Sequence, residues 1–268
     1  MNRLILLGST GIVVAFAMLA AGFISGRPAA IADDTPQMAQ TWGLDQSEVE
    51  TIVRDYLLRN PEILIEMQTA LDEKEKEAQR VASLQVISDA RDQIFRSPHD
   101  GIVGNPDGKV TIVEFYDYNC GFCKRGQDDM LALVAADPDL RFVLKEFPIL
   151  GPDSQKAHIV SQAFQSLMPE KYADFHNRLI ASQGRAGEAS AIKLALELGA
   201  DEAKLREAMK DPKISETFEQ TYDLANRLAI TGTPSYVVGN EVVFGALGRD
   251  VLAQKIAEAR ACTDNATC

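Results

Sequence analysis

Four cysteines fall into two groups, Cys120-Gly121-Phe122-Cys123 and Cys262 with Cys268, and the first group has the spacing of a redox pair. Two thiols three residues apart at the start of a helix share one face, one turn apart, so one can attack a disulfide and the other can resolve the mixed disulfide that forms. The first amides of a helix lack internal partners and its macrodipole is positive at that end, and both effects favour a thiolate at Cys120. Lys124 and Arg125 add positive charge to the same turn. A depressed pKa makes Cys120 a nucleophile at neutral pH and a good leaving group, with Cys123 as the resolving thiol. Other uses of the motif fit poorly. A c-type haem needs His after the second cysteine, where this chain has Lys124. A zinc site needs two more ligands at knuckle-like spacing, which Cys262 and Cys268 in an Ala-, Thr- and Asn-rich tail do not supply, so neither a metal nor a cofactor is expected. A structural disulfide within Cys120–Cys123 would close too short a loop to constrain the unfolded chain. For Cys262 and Cys268, past the last expected helix, the preference reverses: a disulfide there staples the tail by about 2 kcal/mol, with a second redox pair as the alternative.

The elements that must position Cys120 follow from the flanking residues. Val110 to Tyr116 is β-branched and aromatic behind the turn Asn105-Pro106-Asp107-Gly108, which predicts a strand, and a helix follows from about Gly121 to Ala136. The turn Asp137-Pro138-Asp139 leads into a second expected strand, Arg141 to Phe147, completing a βαβ unit. Ser154 to Leu228 reads as helical, with breaks near Pro169, Gly184 to Gly187, Gly199 and Pro212. Ser235 to Val238 and Glu241 to Phe244 flank Gly239-Asn240 as a two-residue hairpin, and a helix from about Arg249 to Ala259 closes the chain. The fold class is α/β with a large helical insertion at about 152–230.

Upstream, Leu44 to Phe95 is helical in pattern and has no strand candidate, until Ser97-Pro98-His99-Asp100-Gly101 breaks it, and a domain boundary is expected there. The first helix carries a capping box between Ser47 and Glu50. Asn60 and Pro61 open a second, which could run to Phe95, about 50 Å at 1.5 Å per residue. Its apolar residues, among them Ile63, Leu64, Met67, Leu71, Val81, Ile87 and Ile94, form a stripe of heptad-like spacing. Such a stripe must pack either on further copies of the chain or back on the chain's own globular domain.

The 268 residues are 46% hydrophobic and 25% charged, an ordinary globular composition, with no repeat and no low-complexity tract. The net charge of -12, with no basic run to offset it, repels phosphate backbones and argues against nucleic acid as a partner. Met1-Asn2-Arg3 followed by an uncharged run from Leu4 to Ile24, then Ala30-Ile31-Ala32 before Asp33, reads as a signal for export over residues 1–32. An uncleaved anchor is the alternative, since the apolar run reaches the roughly 20 residues that span a bilayer.

The run Val110-Thr111-Ile112-Val113-Glu114-Phe115-Tyr116-Asp117-Tyr118-Asn119-Cys120-Gly121-Phe122-Cys123-Lys124 resembles the active-site strand and helix of the DsbA-like thioredoxin-fold family of thiol–disulfide oxidoreductases, and Thr231-Gly232-Thr233-Pro234-Ser235 is similar to that family's loop with a cis-proline facing the cysteines. The resemblance implies a thioredoxin fold with a helical insertion over 97–268. It implies that Thr233 and Pro234 shape the groove for a client protein beside Gly121 and Phe122. It also matches Glu114 to a buried acid that helps the second cysteine exchange its proton; pairing with Lys145 is the plainer alternative. Tyr56-Leu57-Leu58-Arg59-Asn60-Pro61-Glu62-Ile63-Leu64 resembles the segment before the catalytic domain in the ScsC and Com1-like branch, whose members can trimerise. This favours a homo-oligomer, a trimer first, through residues 33–96. Where the family's oxidases have Pro-His between the cysteines, Gly121-Phe122 is similar to the Gly-Tyr of disulfide isomerases, and Thr233 before the proline is isomerase-like. A phenyl ring cannot stabilise a thiolate as an imidazole does, so the pair should be less oxidising. The expected protein is therefore a periplasmic disulfide isomerase acting on cysteine-containing protein clients. A dithiol oxidase recycled by a membrane redox partner is the alternative within the class, and an oligomeric chaperone or scaffold the alternative outside it. Copper handling finds no Met- or His-rich tract, and His99, His158 and His176 read as surface or packing residues.

Overall fold

A computed structural model describes Gly43 and residues 45–265, with side chains as far as Ala261; the expected export signal and its cleavage site lie outside the described residues. The chain divides between Ala70 and Leu71 into two compact units. In the first, helix α1 (Gln46–Arg59) buries none of its residues. Its cap is Asp45, whose carboxylate accepts the Glu48 amide at 2.8 Å while Glu48 accepts the Asp45 amide at 3.1 Å. The capping box thus sits two residues before the expected Ser47–Glu50 pair, and the Ser47 hydroxyl is spent on Asp45 at 2.7 Å. Asn60 does not open the next helix. Its side-chain amide donates to the Tyr56 carbonyl at 2.8 Å and so closes α1, and α2 (Ile63–Asp89) starts after a turn at Pro61 and Glu62. Ile52, Val53, Tyr56 and Leu58 of α1 and Leu64, Ile65 and Met67 of α2 are exposed.

In the second unit the end of α2 and the short α3 (Arg91–Phe95), separated at Ala90, pack on the sheet. Ile87, Ala90 and Ile94 are buried with Val113, Phe115, Val143, Phe147 and Val237. The apolar stripe is therefore divided. Its C-terminal part, upstream of the expected boundary at Ser97, is covered by the chain's own sheet, whereas Leu71 and Val81 remain exposed.

The sheet has the order β1-β3-β2-β4-β5. Strand β2 (Val110–Tyr116), helix α4 (Gly121–Ala136) and β3 (Leu140–Glu146) form the expected parallel βαβ unit. Strands β4 (Ser235–Val238) and β5 (Glu241–Phe244) are the expected hairpin, with β4 antiparallel to β2. An edge strand not expected from the sequence, β1 (Gly101–Gly104), starts at the last residue of the segment read as a break and pairs antiparallel with β3. Gly101 is there for close approach, since a Cβ would lie 1.7 Å from Cε1 of Tyr172.

Between β3 and β4 the insertion comprises α5 (Pro152–Leu167), a 3-10 turn (Pro169–Lys171), α6 (Tyr172–Ile180), α7 (Glu188–Glu197), α8 (Glu202–Ala208) and α9 (Pro212–Arg227). The closing helix α10 (Arg249–Asn265) is longer than expected, so Cys262 lies within it rather than past it. Any pairing of Cys262 with Cys268 lies outside the described residues.

The pleat sorts residues between two cores. Ile112, Tyr116, Phe142, Leu144, Tyr236 and Val238 face one side, with α4, α5, α6 and Leu252 and Ile256 of α10. The alternate positions Val113, Phe115, Val143 and Val237 face the other. This is a thioredoxin fold with a helical insertion, preceded by helices.

Candidate active site at the start of helix α4

The strand β2 ends at Tyr116, and the turn Asp117 to Cys120, closed by the Cys120 amide on the Asp117 carbonyl at 2.9 Å, delivers Cys120 to the N-cap of α4. Its backbone is extended, so its side chain turns toward the first amides of the helix. Cys120 is 6% exposed and Cys123, one turn on, 1%; both are free thiols.

The two sulfurs are electrostatically unlike. Cys120 is lowered to about 5, first by the hydrogen bond from the Cys123 thiol, then, against the cost of burial, by the Thr233 side chain and the backbone amides of Cys123 and Phe122. Cys123 is pushed far the other way by burial, by its hydrogen bond to Cys120 and by the nearby Glu114 carboxyl. The expected helix-start effect is present in those two amides. Lys124 and Arg125 are placed elsewhere: the Lys124 ammonium donates to the carbonyls of Ser182 and Gly184 at 2.9 and 3.1 Å, and the Arg125 guanidinium stacks 4.2 Å from the centre of the Phe122 ring.

The Thr233–Pro234 peptide bond is cis, as the resemblance implied. It lies at the entry to β4, and the Cys120 thiol donates to the Thr233 carbonyl at 3.1 Å. Phe122, between the two cysteines, is 58% exposed. Cys120, Cys123, Thr233, Pro234, Gly121 and Phe122 are thus brought to one place by the βαβ turn and the start of the hairpin.

Glu114 sits beneath them, 3% exposed. Burial and the charge on Cys120 raise its carboxyl to about 8, with the Tyr236 hydroxyl bond working against them. Register explains the contact: Glu114 faces Tyr236 across β2 and β4. Gly126 of α4 makes room for the phenol, since a Cβ there would lie 3.3 Å from the Tyr236 oxygen. The alternative pairing with Lys145 does not occur. Lys145 is in register with Phe115, on the opposite face, where its ammonium lies 2.6 Å from Asp100 and donates to the Gln93 carbonyl. A carboxyl that ionises near neutrality below a thiol that resists ionisation can take up and return the thiol's proton.

Residue patterns did not single out the surroundings of the turn. Asp117 accepts from the Asn119 amide at 2.8 Å, the Ser154 hydroxyl at 2.7 Å and the Leu150 amide at 3.0 Å. Asn119 in turn accepts the Ala186 amide at 2.7 Å and donates to the Ala186 carbonyl at 2.9 Å. These bonds tie the turn to the insertion. His158, read as a surface or packing residue, is buried and hydrogen-bonded at both nitrogens, to Glu146 and to the Tyr118 amide. The signal available was a second acid, Glu146, in an apolar strand. His99 is exposed and His176 is buried among tyrosines. Among the described residues no group of three or more His, Cys, Asp or Glu could hold a metal ion. No described helix is long and apolar enough to cross a membrane.

Comparison with known proteins agrees with this geometry. Residues 111–257 match the family model of the DSBA-like thioredoxin domain, and residues 45–78 match that of the copper resistance protein ScsC N-terminal domain. A thioredoxin-like oxidoreductase from Silicibacter pomeroyi superposes with a TM-score of 0.60 at 37% identity, covering 64% of this chain and 98% of its own. ScsC of Proteus mirabilis in a transitional conformation superposes with a TM-score of 0.61 at 28% identity, covering 84% of this chain and 98% of its own. The disulfide bond formation protein D of Bacillus subtilis is 27% identical over 165 residues, 58% of this chain and 74% of that protein. The chain also matches a Na(+)/H(+) antiporter NhaA 1 of Salinispora arenicola at 23% identity, spanning 25% of that protein's length.

Proposed function

The chain belongs to the DsbA-like thioredoxin family of thiol–disulfide oxidoreductases, and on that premise we propose that it is an exported protein disulfide isomerase that works as a homo-oligomer. Cys120 attacks a wrong disulfide in a client protein, forming a mixed disulfide and releasing the client's other sulfur as a thiolate. That thiolate then attacks a different client disulfide, and the client thiolate freed by this second exchange attacks the mixed disulfide, closing the new pair and regenerating the Cys120 thiolate. When the client fails to rearrange, Cys123 attacks Cys120 and frees the client reduced, its proton passing to the Glu114 carboxylate. Thr233 and Pro234 with Gly121 and Phe122 form the edge along which the client backbone lies.

The observation that carries the isomerase reading is Phe122. It is exposed, its ring is occupied by Arg125, and its side chain offers no hydrogen bond to Cys120, so the reduced pair lacks the stabilisation an imidazole would add. One observation favours oxidation instead: a Cys120 thiolate formed already at about pH 5 stabilises the reduced pair and so strengthens it as an oxidant. A membrane redox partner would recycle the protein in either direction. The exposed apolar residues of α1 and the start of α2 support assembly through 33–96, with a trimer favoured. Export by cleavage before Asp33 would place the molecule in the periplasm.

The deciding experiment is reactivation of a scrambled-disulfide test protein by residues 33–268 in glutathione buffer, beside oxidation of the same protein fully reduced. Rapid unscrambling is the expected result. Fast oxidation without unscrambling would make the protein an oxidase, and suppression of aggregation that survives Cys120→Ala without any exchange would make it a chaperone.

A further inference from the structure

One buried polar cluster lies on the cysteine side of the sheet with no part in the exchange just described. Glu146 at the end of β3 and His158 and Ser161 of α5 are all buried. His158 Nε2 accepts the backbone N–H of Tyr118 at 3.3 Å, so that nitrogen carries no proton. The proton is on Nδ1, which donates to Glu146 Oε2 at 2.6 Å. The second oxygen of Glu146 accepts from the Ser161 hydroxyl at 2.6 Å and the Tyr172 hydroxyl at 3.3 Å. The Tyr116, Tyr118 and Phe218 rings enclose the imidazole. His176 completes the surroundings; it is held uncharged, lowered to about 3 by burial and by His158. Glu146 is thus the acidic group that fixes which His158 nitrogen is the acceptor.

The Tyr118 N–H and the Asp117 carbonyl belong to one planar peptide unit. That carbonyl accepts the Cys120 amide at 2.9 Å. His158 and Cys120 therefore grip the two sides of the same rigid plane. We propose that His158, oriented by Glu146, is a positioning residue for thiol–disulfide exchange: by holding the peptide plane between Asp117 and Tyr118 it sets the Cys120 backbone, and with it the sulfur's place against the first amides of α4 and against Thr233. The proposal rests on Cys120 being the reacting thiol and is independent of whether exchange runs as isomerisation or oxidation.

Two substitutions separate the halves of the imidazole. In His158→Gln the side-chain oxygen can stand where Nε2 stood and accept the Tyr118 amide. In His158→Asn the side-chain N–H can stand where Nδ1 stood, serving Glu146 and leaving Tyr118 without its acceptor. Both lose similar packing, so their difference reports the Tyr118 bond. The readouts are Cys120 thiolate absorbance against pH and the equilibrium with glutathione. The Asn variant should titrate about one pH unit above the Gln variant, with a roughly tenfold shift toward the disulfide form. Equal shifts in both variants, or no shift in either, would overturn the proposal. The unmodified protein supplies a test that does not depend on either variant folding. The 15N shifts of its neutral His158 ring should show Nδ1 protonated and Nε2 bare, and the opposite tautomer would sink the idea.

Discussion

Glu114 and Lys145 lie on the paired strands β2 and β3, one register step apart, yet the pleat sends them to opposite faces of the sheet. Lys145 meets Asp100 at 2.6 Å with both side chains buried; burial raises the Asp100 carboxyl to about 7, and the Lys145 ammonium pulls the other way. Glu114 meets a phenol and two thiols and has no cation, and its carboxyl rises to about 8. The lesson is that burial of an ionisable group can serve two ends. On the face toward α2 and α3 the Lys145 ammonium, held by Asp100 and by the Gln93 carbonyl, ties the segment before β1 to the sheet, and on the face toward α4 a carboxyl without a cation is left beside the two thiols.

Breaking each side should have distinct effects. Cys120→Ala should abolish disulfide exchange, leaving only the background rate of the buffer in the scrambled-protein assay. Lys145→Met should leave Cys120 titrating as before but cost about 3 kcal/mol in denaturant unfolding, because Asp100 then stays buried without its cation. Restoring most of that loss with Asp100→Leu in the same chain would confirm that the pair is structural. Glu114→Gln should slow release of the mixed disulfide by about a hundredfold at pH 7, measured by trapping it on a stopped-flow time course. The same substitution has an opposite effect on stability. A carboxyl whose folded pKa is raised gives its full contribution below its unfolded value of 4.5, and that contribution is lost as pH rises toward about 8. The Gln variant should therefore gain on the parent protein progressively across that window in urea unfolding, and a constant difference would contradict the assignment. The smallest effect expected is that of Arg125→Gln, which removes the cation over Phe122. At this exposed site it should cost about 0.5 kcal/mol in thermal unfolding and leave the Cys120 titration unchanged.

Residues with short-range causes were legible before the structure. Strand β2, helix α4 and the β4–β5 hairpin carry their own turn signals and periods, and their limits in the structure are those read from the sequence. Cys120 and Cys123 were equally plain, because a motif at a strand-to-helix junction is local. Strand β1 was not, since Gly101-Ile102-Val103-Gly104 has too few residues for a period and is a strand only because β3 offers an edge. The cap of α1 moved to Asp45 because Asp and Ser both satisfy the pattern and geometry chooses between them. The fate of Glu114 needed the register of two strands, and the Glu146–His158 bond joins strand β3 to helix α5, so spacing could not disclose either.

The asymmetry of the two thiols is the centre of this account, and selective alkylation of the reduced protein tests it most directly. The reduced chain is treated with iodoacetamide across a pH series, and the label is located by mass spectrometry. The account predicts label on Cys120, not Cys123, with a midpoint at about pH 5. Equal labelling of both cysteines, or a midpoint at the roughly 8.5 of an ordinary thiol, would contradict it.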